Sequence, residues 1–184
     1  NKTNGDIVCR SFSKFFNHKE RPETETAGLK QKFVFPVIGY KKENGFLATI
    51  SKYNGEVKFF TKSTDQGDYV NWFIGVLCDH YDIKLENGMC YTDRYIIAKR
   101  ALELAEQKEK NGEALNPEKE HAQNCLQMLD NLRQQLANKL SPLLEEGYSY
   151  VFECVDKDND PHIIKYKENN VYLLQVFSIR ITLS

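Results

Sequence analysis

The chain has 184 residues, of which 41% are hydrophobic and 12% aromatic, enough to bury one proper core and too few for two comfortable ones. Five prolines, ten glycines and 28% charged residues exclude a disordered tail, a linker or a collagen-like repeat. The net charge of −1 hides an asymmetry, because residues 1–62 hold 12 Lys+Arg against 6 Asp+Glu while the remainder holds 13 against 20. The basic first third fits a polyanionic ligand such as a nucleotide or nucleic acid, or else a solvated basic face.

The longest apolar stretches, Trp72–Cys78 and Val171–Leu174, fall well short of the roughly 18 residues that a membrane-spanning helix needs. No basic-then-apolar leader opens the sequence, and the expectation is a cytoplasmic chain that is a piece of a longer protein. Cys9, Cys78, Cys90, Cys125 and Cys154 form no C-x-x-C pair, and His18, His80, His121 and His162 lack ligand-spaced partners. A disulfide framework or zinc knuckle is therefore not expected, and any metal would be held by oxygens.

In chain order, Asp6 starts a short strand that leads into Arg10 and Lys14 among aromatics, and residues 18–30 read as a polar surface loop. Three strand-like runs follow: Phe33–Tyr40, Gly45–Lys52 and Glu56–Lys62. Tyr53-Asn54-Gly55 joins the last two, and Asn-Gly between alternating runs is a strong hairpin signal because both residues tolerate positive φ.

Beyond Gly67 the period lengthens. Val70, Phe73, Ile74 and Leu77 share one face of a helix that begins near Asp68, and a second helix is expected over Asp93–Lys110 with Ile96, Ile97, Ala101, Leu104 and Ala105 inward. A third opens at Asn116-Pro117 and carries Ala122, Cys125, Leu126, Leu129, Leu132, Leu136 and Leu140 as packing residues, until Ser141-Pro142 interrupts it. Strand character returns at Tyr148–Val155, His162–Tyr166 and Val171–Arg180. The acidic run Asp156–Pro161 lacks the glycine and the distant glutamate of a calcium loop and reads as a turn. The architecture expected is α+β: an antiparallel sheet whose halves are separated by a helical insertion at 68–146.

The first candidate for chemistry is Lys41-Lys42-Glu43-Asn44-Gly45, which on its own reads better as a basic turn into a hairpin. Its company is more specific. Lys62 follows Lys42 by 20 positions, Arg10-Ser-Phe-Ser-Lys14-Phe-Phe16-Asn17 precedes it, and Glu153 lies mid-strand in Val-Phe-Glu-Cys-Val. Alone, Glu153 could pair with a lysine on a neighbouring strand, and Phe15, Phe16, Phe59 and Phe60 could be core or pocket wall.

Taken in order, these segments resemble the nucleotidyltransferase domain of the bacteriophage-type RNA ligase 1 family, within the superfamily of covalent lysine-adenylating ligases and capping enzymes. Lys42-Glu43-Asn44-Gly45 is similar to the family's K-x-D/N-G nucleophile motif, and Arg10 to Asn17 to its R-x-x-x-K-F-F-N element. Lys62 to Thr64 is similar to its K-S/T-x-S/T element, and Phe152 to Tyr166 to its F-E-x-V and following short strand. The family's later E-G-hydrophobic-V and K-x-K segments are not among the 184 residues, which reads as a single nucleotidyltransferase domain over 1–184 that is part of something longer.

The resemblance implies an antiparallel, ATP-grasp-like ligase core and an ATP-dependent RNA ligase that forms lysyl-AMP on Lys42. It implies ATP and Mg²⁺ or Mn²⁺ as cofactors, with the metal ligands unassigned. The nucleotide would be held by Lys14, Phe16, Lys41, Asn44, Gly45, Lys62 and Glu153, and phosphate or RNA by Arg10, Lys14 and Lys62. The implied partner is RNA with 5′-phosphate and 3′-hydroxyl ends, tRNA among them, joined in RNA repair. Related readings are a capping guanylyltransferase, a DNA ligase, or a degenerate ligase fold that binds nucleotide or RNA without reacting.

Overall fold

The computed structural model describes residues 4–112, 116–160 and 164–179. Strands β1 (Phe46–Tyr53), β2 (Glu56–Thr61), β3 (Tyr148–Val155) and β4 (Asn170–Ser178) form one antiparallel sheet in the order β2-β1-β3-β4. Helix α1 (Thr26–Lys32) precedes the sheet, and α2 (Asp68–His80), α3 (Tyr91–Lys110) and α4 (Asn116–Leu140) lie between β2 and β3 in sequence. In chain order these three helices separate the β1–β2 pair from the β3–β4 pair of the one antiparallel sheet.

The Asn54-Gly55 hairpin forms as its chemistry requires: φ is +52° at Asn54 and +78° at Gly55, and Tyr53 pairs with Glu56 across the turn. This register fixes which side chains share a face. Ala48 and Ile50 of β1, Phe59 of β2 and Tyr150, Phe152 and Cys154 of β3 point toward the helices. There they meet Val70, Phe73, Ile74 and Leu77 of α2 and Leu132 and Leu136 of α4. Each fully buried aliphatic or aromatic side chain in this layer contributes about 1.5–3 kcal/mol relative to exposure.

The opposite face carries Leu47, Thr49 and Ser51 beside Ser149, Val151 and Glu153. Thr49, Ser51 and Ser149 are all buried there, because the N-terminal segment lies across them. The Arg10 N–H donates to Ser149 Oγ at 2.8 Å, and the Phe12 and Phe177 rings meet edge to face at 5.3 Å.

Several expectations are corrected. Phe33–Tyr40 is not a strand: α1 ends at Lys32, and the segment runs on with Val34, Phe35, Ile38 and Tyr40 more than 70% exposed. Pro36 removes a ladder donor, and both edges of β1 are taken by β2 and β3. Residues 18–30 are more ordered than a loop, with a 3-10 turn at Pro22–Thr24 leading into α1. The N-terminal segment from Asp6 spans the sheet without joining it as a strand.

Of the expected strand His162–Tyr166, His162 and Ile163 lie outside the described residues and 164–166 is not strand. Leu104, expected inward, is 47% exposed, because the inward line of α3 runs through Tyr91, Ala98 and Ala105, whose two alanines let α4 approach closely. Leu126, expected among the packing residues of α4, is 39% exposed. The acidic run is a turn: buried Asp156 accepts from the Asp158 and Asn159 N–H groups and from Asn159 Nδ2.

Candidate active site

The turn Lys41–Gly45 delivers the chain into β1 and is clamped at three points. The Gly45 N–H donates to Glu153 Oε1 at 2.9 Å, and the Asn44 N–H to the Tyr166 hydroxyl at 2.7 Å. That hydroxyl donates in turn to Glu43 Oε2 at 3.5 Å. Gly45 is needed for this approach: a Cβ there would stand 2.7 Å from the Cys154 carbonyl carbon, closer still to its oxygen, and 3.2 Å from Val155 N. The K-x-N-G spacing therefore matters through the backbone, because its last residue must pass against β3 for its own N–H to reach Glu153 and that of Asn44 to reach Tyr166.

Within the turn the two lysines differ. Lys41 Nζ pairs with Glu43 Oε1 at 2.6 Å, and that carboxylate, by hydrogen bond and then by charge, raises the Lys41 pKa above its ordinary value. Lys42 is exposed, and its Nζ donates to the Glu43 carbonyl oxygen at 3.4 Å. Glu43 thus neutralises one lysine and positions the other, so the Lys41 charge acts on its neighbour only in partly cancelled form.

Glu153 sits level with Leu47 on β1 and with Tyr172 on β4. Leu47, Glu153 and Tyr172 therefore form one row across β1, β3 and β4. Thr61, the last residue of β2, pairs with Ala48, and its N–H donates to Thr64 O, so Lys62 lies in the turn that follows the strand.

A second cluster gathers around Phe16. Lys14 Nζ lies 5.0 Å from the ring centroid and the Arg21 guanidinium carbon 3.6 Å from it. Arg21 is held by a local bracket in which its N–H donates to Thr24 Oγ1 and Thr24 Oγ1 donates back to its carbonyl. Arg10 is placed elsewhere: its backbone is bonded to Ser149 and its guanidinium donates to Ser178 O at 3.4 Å, four residues along β3 from Glu153.

The structure thus brings Lys41, Asn44 and Gly45 together with Glu153, and Lys14 together with Phe16, and sets Arg10 at the other end of β3. Sequence reasoning assigned no role to Glu43, Tyr166 or Arg21. Tyr166 carried a signal, as the last residue of the segment matched to the short strand; Arg21 carried none, since its position depends on how the 17–25 turn folds back. Among the described residues no three His, Cys, Asp or Glu side chains converge in a way that could hold a metal ion, and no helix is long and apolar enough to cross a membrane.

Comparison with curated proteins and with solved structures gave no match. A family model described as RNA ligase matches residues 1–183, nearly the whole chain, and spans every motif named above in one alignment. On that match the chain, with its clamped Lys-Glu-Asn-Gly turn, belongs to the RNA ligase family, of the phage type that its motifs resemble.

Proposed function

We propose that this chain is the adenylylating part of an ATP-dependent RNA ligase, with Lys42 as the nucleophile. The observation that carries the reading is the clamp of the Lys42–Gly45 turn onto Glu153 through the Gly45 N–H. It supports a rigid turn that offers an exposed amine next to a carboxylate-bearing strand, the arrangement an in-line attack on a nucleotide needs.

In the first step the neutral Lys42 Nζ attacks the α-phosphorus of ATP. A P–N bond forms, the α–β P–O bond breaks, pyrophosphate leaves and the amine proton passes to solvent. Lys14 and Lys62 supply positive charge to the phosphate end, Phe16 forms part of the nucleotide wall, and Lys41 adds charge that Glu43 moderates. Glu153 has one oxygen on Gly45 N–H and offers the other to the ribose. In the second step an RNA 5′-phosphate oxygen attacks the adenylyl phosphorus and releases the lysine. In the third, an RNA 3′-hydroxyl attacks the 5′-phosphorus, forms the phosphodiester and expels AMP.

Mg²⁺ belongs with ATP in this reading and would screen the phosphate charge. The described side chains do not assemble a three-ligand site, so the ion would be held chiefly by phosphates and water, and no residue is assigned to it. The strand joined is RNA, with tRNA ends as one substrate class and repair of broken RNA as the role.

The test is intact mass after incubation with ATP and Mg²⁺. One added AMP is expected on the native chain and none on Lys42→Ala, with GTP giving no adduct. An adduct on Lys42→Ala, or labelling by GTP in preference to ATP, overturns the assignment.

A further inference from the structure

Every residue from Lys30 to Lys42 is exposed. The ends of this segment are fixed. The Phe33 N–H donates to Leu29 O at 2.9 Å and closes α1, while the Asn44 and Gly45 N–H groups are held by Tyr166 and Glu153. In between, Val34, Phe35, Val37, Ile38 and Tyr40 are 54–86% exposed. So many large apolar side chains gathered in water mark a surface that a ligand or partner covers.

Charge narrows the choice of occupant. No aspartate or glutamate occurs between Glu25 and Glu43, whereas four lysines do: Lys30, Lys32, Lys41 and Lys42. Lys41 is paired with Glu43, but Lys30 and Lys32 form no ion pair among the described residues. The core of a protein–protein interface is depleted in lysine, and Pro36 interrupts the row of backbone donors that a second chain would need to add to the segment as a strand. Single-stranded nucleic acid asks for the composition that is present: cations for its phosphates and open rings for its bases. Phe35 and Tyr40, 73% and 84% exposed, are such rings, and Phe33 braces Phe35 edge to face at 6.3 Å. Val34, Val37 and Ile38 offer the same bases apolar contact.

We propose that Lys30–Lys42 is the track on which single-stranded RNA lies as its 5′-phosphate reaches Lys42, with bases on Phe35 and Tyr40 and backbone phosphates at Lys30 and Lys32. The inference rests on the RNA ligase reading above and names a surface that this reading leaves unassigned. The location agrees with it. Tyr40 precedes Lys42 by two residues and Lys32 precedes it by ten, at most about 36 Å of extended chain, so the strand would be gripped beside the reacting amine and delivered to it.

The test is fluorescence anisotropy of a short 5′-phosphorylated single-stranded RNA, without ATP and across a salt series. Tyr40→Ala is expected to weaken binding about tenfold, the effect of one lost stacked base, and Tyr40→Phe to retain it. Lys30→Ala combined with Lys32→Ala should flatten the slope of log affinity against log salt by about 1.4, at roughly 0.7 per phosphate contact on a single strand. These side chains are exposed, so melting and AMP labelling of Lys42 should not change. Duplex RNA of the same length, whose bases are stacked inside the helix, should bind the native chain and Tyr40→Ala alike. Native affinity in Tyr40→Ala, an unchanged salt slope in the double lysine variant, or a Tyr40→Ala defect of equal size on duplex RNA each overturns the proposal. So does self-association or binding of anionic vesicles that depends on this segment while RNA binding does not. A chain with the expected RNA binding but no lysyl-AMP would fault the earlier reading alone; normal labelling with RNA binding insensitive to the segment would fault this one alone.

Discussion

Adding one methyl group at Gly45 tests how far the turn depends on its closeness to β3. A Cβ at that position falls 2.7 Å from the Cys154 carbonyl carbon and 3.2 Å from Val155 N, where ordinary contacts begin at 3.4 Å. The obstacle is main chain, and β3 is hydrogen-bonded on both sides, to β1 and to β4, so it cannot swing aside. The start of β1 must move instead. Overpacking of this kind costs about 1–3 kcal/mol, and drawing the Gly45 N–H off Glu153 forfeits a hydrogen bond to a carboxylate worth about 1.5–3 kcal/mol.

For a chain of this size each kcal/mol lowers the melting temperature by roughly 2–4 °C, so Gly45→Ala is expected to melt about 10 °C early. A displacement of about 1 Å at a reacting group costs on the order of 100-fold in rate. Formation of lysyl-AMP should fall by that factor at a temperature where the variant is still folded. Thermal melts and an intact-mass time course measure the two effects, with Lys42→Ala as a control that abolishes the adduct and leaves melting unchanged because its side chain is exposed. A Gly45→Ala chain with native melting and native adenylylation would refute the reasoning.

The buried Asn71–Tyr91–Arg133 network, in which Arg133 donates to both the Tyr91 hydroxyl and Asn71 Oδ1, predicts an alkaline loss of stability. Burial pushes the Tyr91 phenol from 10 up to about 12 against the opposing pull of Arg133, so its contribution is complete below about pH 10 and is lost as pH rises toward 12. At about 1.4 kcal/mol per unit this amounts to roughly 2–3 kcal/mol. Tyr91→Phe should be less stable at neutral pH by about 1–3 kcal/mol, because Arg133 Nε loses its acceptor, and should show a shallower decline in urea melts from pH 8 to 12; parallel curves would contradict this. Burial also pushes the Cys78 thiol up to about 12 and raises that of Cys154 further, while Cys125 is fully enclosed. A thiol reagent at pH 8 should therefore label the folded chain only at Cys9 and Cys90, slowly since both are raised as well, and all five sites in denaturant. Labelling of Cys78 or Cys154 at the rate of Cys90 would show that the core is open.

The elements visible in the sequence were those whose signal is local. The Asn54-Gly55 turn, the stripe Val70, Phe73, Ile74, Leu77 and the alternation along Gly45–Lys52 follow from positive φ, a 3.6-residue period and a two-residue period, each set by neighbours in the chain. Phe33–Tyr40 has strand composition, but a strand requires a partner, and whether a sheet edge is free is decided by residues more than a hundred positions away. The candidate site divides in the same way. Lys42, Asn44 and Gly45 were legible as a motif and Lys62 and Glu153 as its spaced companions, whereas the reason Gly45 must be glycine is the Cys154 carbonyl that folding brings beside it. The roles of Tyr166 and Arg21 belong to tertiary structure for that reason, as does the pinning of Arg133 by Asn71 and Tyr91. Short-range backbone preferences and periodicity are written along the chain; the positions of charges and carbonyl groups relative to one another exist only after the sheet has closed against its helices.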